Sequence, residues 1–255
     1  MKRQRFPEAQ GLAGLAIILL LAGGLLPAAG QDKNPDAAVL AKIEGKFKQH
    51  GLLVGNDIRA AVADKTVTLT GTVRTLAQRE DAERDAKSAA KKYKVVNDLV
   101  LAAVERSPRE IGDAVMAGIE QSRLYAIYDY VGLGVTEKGE VTLKGWVYYP
   151  WHAAEFVKIA KSQPGVVKVE DETTALQITG LDETLRYRIA RLFYTRPMVL
   201  PFSRMTGPVH VVVFNAVVTL GGWVERESDI AGYEQIVRAN VGGLNIINML
   251  RARKK

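Results

Sequence analysis

The sequence of 255 residues contains no cysteine. Without cysteine there is no disulfide framework, so each domain must be stabilised by its own packed core. The same absence excludes thiol nucleophiles and cysteine-ligated metal sites. Histidine is also scarce: His50, His152 and His210 are the only three, and no two have the i, i+4 spacing of a metal-binding helix. We therefore expect no metal and no other cofactor.

The residues that serve acid–base catalysis are poorly placed as well. Two pairs of acids, Glu170 with Asp171 and Glu225 with Glu227, lie at predicted strand ends or helix starts, where they cap and solubilise. No glycine-rich phosphate loop precedes a predicted helix. The sequence therefore indicates a protein that is not an enzyme.

The formal net charge is +7, and the basic residues are dispersed among acidic ones. A dispersed pattern does not favour nucleic-acid binding. Outside the cytoplasm, a modestly basic protein encounters anionic phospholipid or cell-wall polymer instead. The alternative is that this charge only keeps the protein soluble.

The N-terminal segment has the order of a secretion signal. Lys2, Arg3 and Arg5 precede an apolar stretch, Gly11 to Leu26, and small residues follow up to Gly30. We expect cleavage after Gly30, or after Ala29, and a periplasmic or exported protein. The rival interpretation is an uncleaved anchor, because Gly11 to Ala29 is nineteen residues and a helix that spans a bilayer needs roughly 17 to 25.

The rest of the chain repeats. The pattern V-T-L-x-G occurs three times and ends at Gly71, Gly145 and Gly222, with spacings of 74 and 77 residues. Each copy is preceded by apolar residues at i, i+4 and i+8, which predict one buried stripe on a helix. These stripes are Val39, Ile43 and Phe47; Ile111, Val115 and Ile119; and Leu185, Ile189 and Phe193.

Between the stripe and the glycine, period-2 alternation predicts a half-buried strand, and Asp64-Lys65, Lys138-Gly139 and Asn215-Ala216 predict hairpin turns. A second helix follows the glycine, opened in the first copy by a capping-box candidate, Thr75 with Gln78. A last strand closes each unit, at residues 95–101, 166–172 and 244–250.

The predicted fold class is therefore α+β, with three tandem α-β-β-α-β modules after the signal peptide. The hairpin makes the first two strands antiparallel, and the helical crossover makes the second and third parallel. Each module is then a mixed three-stranded sheet with two helices on one face. The expected boundaries are 1–30 for the signal peptide, 31–104 for module 1, 105–178 for module 2 and 179–255 for module 3.

This order of elements, with V-T-L-x-G-x-V and then G-V-x-x-V before the last strand, resembles the BON domain of bacterial osmotically inducible and nodulation proteins. The resemblance covers residues 36–103, 107–176 and 181–252. Its most specific element is the strand glycine, to which we assign close approach of the second helix. Only the second copy keeps G-V-x-x-V, at Gly165 to Val169; the third has Gly243 to Ile247, and the first lacks the glycine.

The resemblance implies an envelope protein without catalytic activity that binds phospholipid or a membrane surface under osmotic or envelope stress. Three copies and no other domain depart from the familiar one or two, and affinity could sum over the modules. The alternative function is a periplasmic protein-interaction scaffold without lipid binding. The sequence predicts no oligomeric state.

Aromatic residues mark the candidate contact surface. Thr72 follows the strand glycine in the first copy, but Trp146 and Trp223 do so in the others, on the open face of the sheet. Each tryptophan either packs under a neighbouring module or partner, or anchors in a bilayer at the headgroup level.

Two further clusters favour membrane or partner contact. One, flanking the sheet of module 2, comprises Tyr125, Tyr128, Tyr148, Tyr149 and Trp151. The other lies in a segment that is five residues longer in module 3 than in module 1, a predicted irregular apolar loop with basic flanks that either faces lipid or covers the first strand. It comprises Arg196, Met198, Leu200, Phe202 and Arg204.

Overall fold

The computed structural model describes residues 35–178, 180–194 and 208–253. The predicted signal peptide, and the cluster from Arg196 to Arg204, lie outside these residues. Among the residues that are described, no helix has both the length and the apolar character needed to cross a membrane.

The α-β-β-α-β order is confirmed in all three modules. Module 1 comprises α1 (Pro35–Gln49), β1 (Asp57–Ala63), β2 (Thr66–Val73), α2 (Leu76–Ala89) and β3 (Lys94–Leu101). Module 2 comprises α3 (Pro108–Glu120), β4 (Tyr130–Val135), β5 (Glu140–Val147), α4 (Pro150–Lys161) and β6 (Lys168–Ala175). Module 3 comprises α5 (Gly180–Phe193), β7 (Val209–Phe214), β8 (Val217–Val224), α6 (Glu227–Val241), β9 (Asn245–Asn248) and β10 (Arg251–Ala252). The exact module boundaries stay a prediction.

Each sheet has the predicted pairing, with the second strand in the middle. The hairpin strands β1–β2, β4–β5 and β7–β8 are antiparallel, and β2–β3 and β5–β6 are parallel. In module 3 the predicted continuous last strand is wrong. It is divided into β9 and β10, both of which pair in parallel with β8.

Local sequence explains the helix starts and the turns. The predicted capping box of Thr75 and Gln78 opens α2, and Ser107 with Glu110 forms a second one at α3. The hairpin turns Asp64-Lys65 and Asn215-Ala216 have positive φ at both residues, the geometry that matches the twist of a tight β-hairpin.

Each module has its own apolar core, formed by the predicted helix stripes and the inner face of its sheet. In module 1, for example, Ile43 and Phe47 of α1 and Ala82 and Ala86 of α2 cover Val67 of β2. Both helices therefore lie on one face, as predicted. The opposite face of β2 carries Thr66, Thr68, Thr70 and Thr72, which are half-buried or exposed.

The role assigned to the strand glycines needs correction. Gly71, Gly145 and Gly222 have φ of +115°, +115° and +96°, which L side chains rarely adopt. A Cβ would lie 2.0, 2.2 and 2.0 Å from the carbonyl oxygens of Asp57, Tyr130 and Pro208, at the start of the neighbouring strand. The glycine is required by the adjacent strand and its own φ, not by approach of the second helix.

We expect Gly222→Ala to lower the free energy of unfolding by about 2 kcal/mol or more, because the strained φ and the Pro208 carbonyl both oppose the methyl group. Gly232→Ala is the matched control. Gly232 lies within α6 with no atom within 4 Å of its would-be Cβ, so alanine there stabilises by up to about 1 kcal/mol. Urea denaturation of both variants tests this, and equal effects would contradict the assignment.

Candidate functional site at the junction of modules 2 and 3

A fourth apolar cluster, here called the junction core, joins module 2 to module 3. Its buried members come from the loop before β4, from the positions directly after β5 and β6, and from α5 and β7. They are Ile127, Tyr128, Tyr148, Leu176, Ala190 and Val212. Because β7 packs on its own core by one face and on the junction core by the other, it is buried along almost its whole length.

Asp129 holds the loop before β4 in place. Its carboxylate is fully buried and accepts hydrogen bonds from the backbone amides of Ala126 at 2.9 Å and Tyr148 at 2.7 Å. The Nδ1 of buried His152 lies 2.8 Å from the same carboxylate. A buried carboxylate requires such partners, so Asp129 is a structural anchor that sets where Ile127 and Tyr128 lie.

Backbone and histidine contacts connect this loop to module 3. The Val211 amide donates to the Ile127 carbonyl at 2.6 Å, and the His210 Nδ1 lies 3.2 Å from the Ala126 carbonyl. Burial among the Tyr125 and Tyr130 rings lowers the pKa of His210, despite the opposing influence of Asp129 and the Ala126 carbonyl.

A polar network closes the other side of the junction core. Arg186, fully buried, donates to the Glu183 carboxylate at 2.6 Å and to the carbonyls of Val213 at 2.8 Å and Gln177 at 2.9 Å. The Tyr148 hydroxyl donates to Glu183 at 2.5 Å. Although burial alone raises the pKa of Glu183, the bonds from Tyr148, Tyr187 and Arg186 hold it below its ordinary value.

The structure separates the predicted contact residues into buried and exposed ones. Tyr125, Tyr128 and Tyr148 are only 8%, 0% and 5% exposed, so the prediction that they contact a membrane or partner is corrected. Trp146 is half-buried against the junction core, which agrees with packing under a neighbouring module. Trp151 is 57% exposed and stacks on half-buried Tyr149 at 4.2 Å.

Trp223 lies in a groove between the two modules. The groove has a volume of about 790 Å³ and is lined by α3, by β4 and by Pro208, Trp223 and Arg251 of module 3. The Arg253 guanidinium lies over the Trp223 ring at 4.2 Å. Trp223 is thus half-buried without a module packed over it.

Sequence reasoning missed Asp129, Arg186, His210 and Gly221. One signal was present: the third copy has two consecutive glycines, whereas the others have Thr70 and Lys144 before the strand glycine. A Cβ at Gly221 would lie 2.5 Å from the Tyr130 ring, so the extra glycine makes room for module 2.

The BON domain model matches residues 35–103, 133–177 and 201–254, more than half of the chain. The chain belongs to the BON domain family. BON domain proteins are typically periplasmic or membrane-associated and generally not catalytic. The second and third BON matches begin after α3 and α5, although both helices are present. In module 2 the unmatched part includes the loop with Asp129.

The solved structures similar to this BON protein include two of CdsD, a structural protein of the type III secretion system of Chlamydia trachomatis. One, the C-terminal domain, is 11% identical with a TM-score of 0.24, and 89% of this chain and 100% of that chain are covered. The other is 13% identical with a TM-score of 0.22, covering 85% and 93%. At such scores the likeness carries no argument about function. No curated protein sequence matches the chain.

The lowered pKa of His210 predicts an acid-sensitive junction. Because the folded pKa lies below the unfolded value of about 6.5, stability is complete above that pH and is lost as the pH falls through it. We expect His210→Asn, which stays neutral and whose amide nitrogen can replace Nδ1 as the donor to Ala126, to lose less stability between pH 7.5 and 5.5 than the unchanged protein. Urea denaturation at both pH values measures this, and an identical loss in the variant contradicts it.

Proposed function

We propose that this BON protein is a non-catalytic envelope protein that binds anionic phospholipid surfaces through exposed apolar residues beside the junction core. Trp151, Ile178 and Leu181 are 57%, 60% and 62% exposed, and we call them the junction surface. The exposure of Trp151, while most candidate tyrosines are buried, is the observation that carries the proposal. An indole ring is well suited to the headgroup level of a bilayer.

The three residues belong to the same part of the molecule. Trp151 stacks on Tyr149, which contacts Tyr148 at 4.3 Å, and Tyr148 bonds Glu183 on α5, two residues after Leu181. The Leu176 amide, two residues before Ile178, donates to the Val147 carbonyl at 2.8 Å. The Tyr148–Glu183 bond therefore brings the chain segments that carry these apolar side chains to one junction.

Positive charge accompanies this surface on α5. Arg188 and Arg191 are exposed and lie on the same face of the helix as Leu181. Neither has a carboxylate partner among the residues that the structure describes. Each basic residue near an anionic leaflet contributes about 1 kcal/mol, so attraction to lipid would depend on salt. Such a surface supports reversible, peripheral binding.

We expect Trp151→Ala to weaken binding to vesicles of phosphatidylglycerol and phosphatidylethanolamine about tenfold, since burial of one large apolar side chain contributes about 1.5 kcal/mol or more. Co-sedimentation measures the bound fraction. The test uses the chain from Gln31 onward, which contains the compact unit Pro35–Lys255, because the apolar stretch before it would itself associate with lipid.

Val100→Ala is the control, because Val100 is 63% exposed but lies on β3 of module 1. Val100→Ala should bind vesicles as the unchanged protein does. The double variant Arg188→Glu, Arg191→Glu should bind vesicles more weakly, and its binding should depend less on the salt concentration. If the unchanged protein does not sediment with vesicles at low salt, the proposal is wrong and an interaction scaffold remains.

A further inference from the structure

The first strand of module 2 has an open edge. β4 lies at the edge of its sheet. At the hairpin turn that follows it, the Thr136 amide donates to the Glu140 carbonyl at 3.0 Å, so these two residues form a hydrogen-bonded pair. Hydrogen-bonded pairs alternate along an antiparallel ladder, so Gly134 and Gly132 bond to β5. The backbone N–H and C=O groups of Val131, Leu133 and Val135 therefore point away from the sheet.

The corresponding edge in module 3 is closed. The Tyr194 hydroxyl bonds both the carbonyl and the amide of Val209, at 2.7 and 3.2 Å. The Val211 amide donates to Ile127, and the Val213 carbonyl accepts from Arg186. Protecting an edge strand in this way prevents pairing with other chains.

On β4 the protection is only partial. Val131 has a hydrogen bond with the Tyr125 hydroxyl, the counterpart of the Tyr194 contact. For the outward groups of Leu133 and Val135 the described part of the chain supplies no partner. Module 3 occupies the start of this edge through Ile127 and Val211, and β4 then continues beyond that contact with its hydrogen-bonding groups open.

These open groups face the groove. Its walls are apolar where β4 meets α3, at Gly112 and Met116, and aromatic at Trp223. Gly132 and Gly134 are exposed, and nothing lies within 4 Å of a Cβ added to either. Glycine within a strand often marks a place where another backbone approaches closely.

Among the described residues, two charges that line the groove have no ion-pair partner: those of Glu120, at the end of α3, and of Arg251. Arg109 is 3.7 Å from Asp113, and Arg253, next to the groove, is 3.6 Å from Glu225. Arg251 is exposed and, within the ranges that the structure describes, has no carboxylate partner. An occupant that bears a carboxylate at this end would complement it.

We propose that the groove binds an extended peptide segment of another protein, which adds beside β4 as a fourth strand of module 2. The segment carries apolar side chains at alternate positions, facing α3 and β4, and one acidic side chain that reaches Arg251. Main-chain hydrogen bonds to Leu133 and Val135 supply general affinity, and the alternating side chains supply selectivity. A single strand fits between the walls of α3 and module 3 without bringing a second folded sheet with it.

The probes are acetylated, amidated heptapeptides that alternate valine and threonine, with each threonine in turn replaced by aspartate or by lysine. Fluorescence anisotropy of labelled peptides measures binding to the chain from Gln31 onward, without lipid, so the result is independent of vesicle binding. We expect at least one aspartate peptide to bind, and its lysine counterpart to bind at least about tenfold more weakly. No binding by any peptide up to about 1 mM overturns the proposal.

Two substitutions locate the binding. Val135→Pro removes an outward N–H without removing a bond to β5, and should weaken binding at least about tenfold. Val62→Pro is the matched control, since Val62 is also half-buried and occupies the same position before the hairpin turn of module 1. Arg251→Glu should reverse the preference from aspartate to lysine. Equal affinity in the two proline variants, or an unchanged preference in Arg251→Glu, contradicts the proposal.

Amide hydrogen exchange on the unchanged protein gives a reading that does not depend on a proline variant folding. Bound peptide should slow exchange at Leu133 and Val135 and leave Ile58 and Ala60 of β1 unchanged. Light scattering tests whether a second copy of the chain fills the groove instead. If the unchanged protein is a dimer and Val135→Pro is a monomer, the second copy is the occupant and the peptide proposal is wrong.

Discussion

The hydrogen bond from the Val211 amide to the Ile127 carbonyl connects the edge strand of one module to the loop of the preceding one. It is possible because Asp129 holds that loop through two backbone amides and His152. Around it lies the junction core with Tyr128 and Tyr148, and the groove opens along the remainder of β4. The proposed membrane surface and the proposed peptide site both depend on modules 2 and 3 staying in this arrangement.

The three copies share one fold but have diverged at equivalent positions. The residue after the strand glycine is exposed Thr72 in module 1, Trp146 against the junction core in module 2, and Trp223 in the groove in module 3. Module 1 meets module 2 through α2 and α4, where Lys161 and Glu80 are 2.8 Å apart. An exposed ion pair of that kind contributes at most about 1 kcal/mol, far less than burial of several aromatic rings. Modules 2 and 3 are therefore the more tightly joined pair.

Periodicity was sufficient to predict the fold of each module. The helices and strands can be recognised from residues close in sequence, as in the buried helix stripe of Ile111, Val115 and Ile119. The length of each connection then predicts whether two strands pair antiparallel or parallel. The recurrence of Gly71, Gly145 and Gly222 correctly identified the strand glycines. The role predicted for them was wrong, because a positive φ inside a strand cannot be recognised from hydrophobic periodicity.

The candidate site was less predictable. Its parts come from positions far apart in sequence, such as Tyr130 and Gly221, whose contact depends on how two modules dock. Tyrosines in loops were therefore expected at the surface, although docking buries Tyr125, Tyr128 and Tyr148. Exposed Trp151 was among the predicted residues, whereas the buried polar groups Asp129 and Arg186 have no local pattern to identify them.

Arg186 has a further consequence for how such a chain can evolve. Its guanidinium, permanently charged, is satisfied jointly by the carbonyl of Gln177, by Glu183 and by the carbonyl of Val213. A truncation after module 2 would remove Arg186 together with Glu183, leaving Tyr148 without its acceptor and the junction-core aromatics without cover. Insertion or loss of a repeat between modules 2 and 3 would thus destabilise the chain. Modules 2 and 3 are therefore expected to be duplicated or lost together, whereas module 1 is the more readily exchanged repeat.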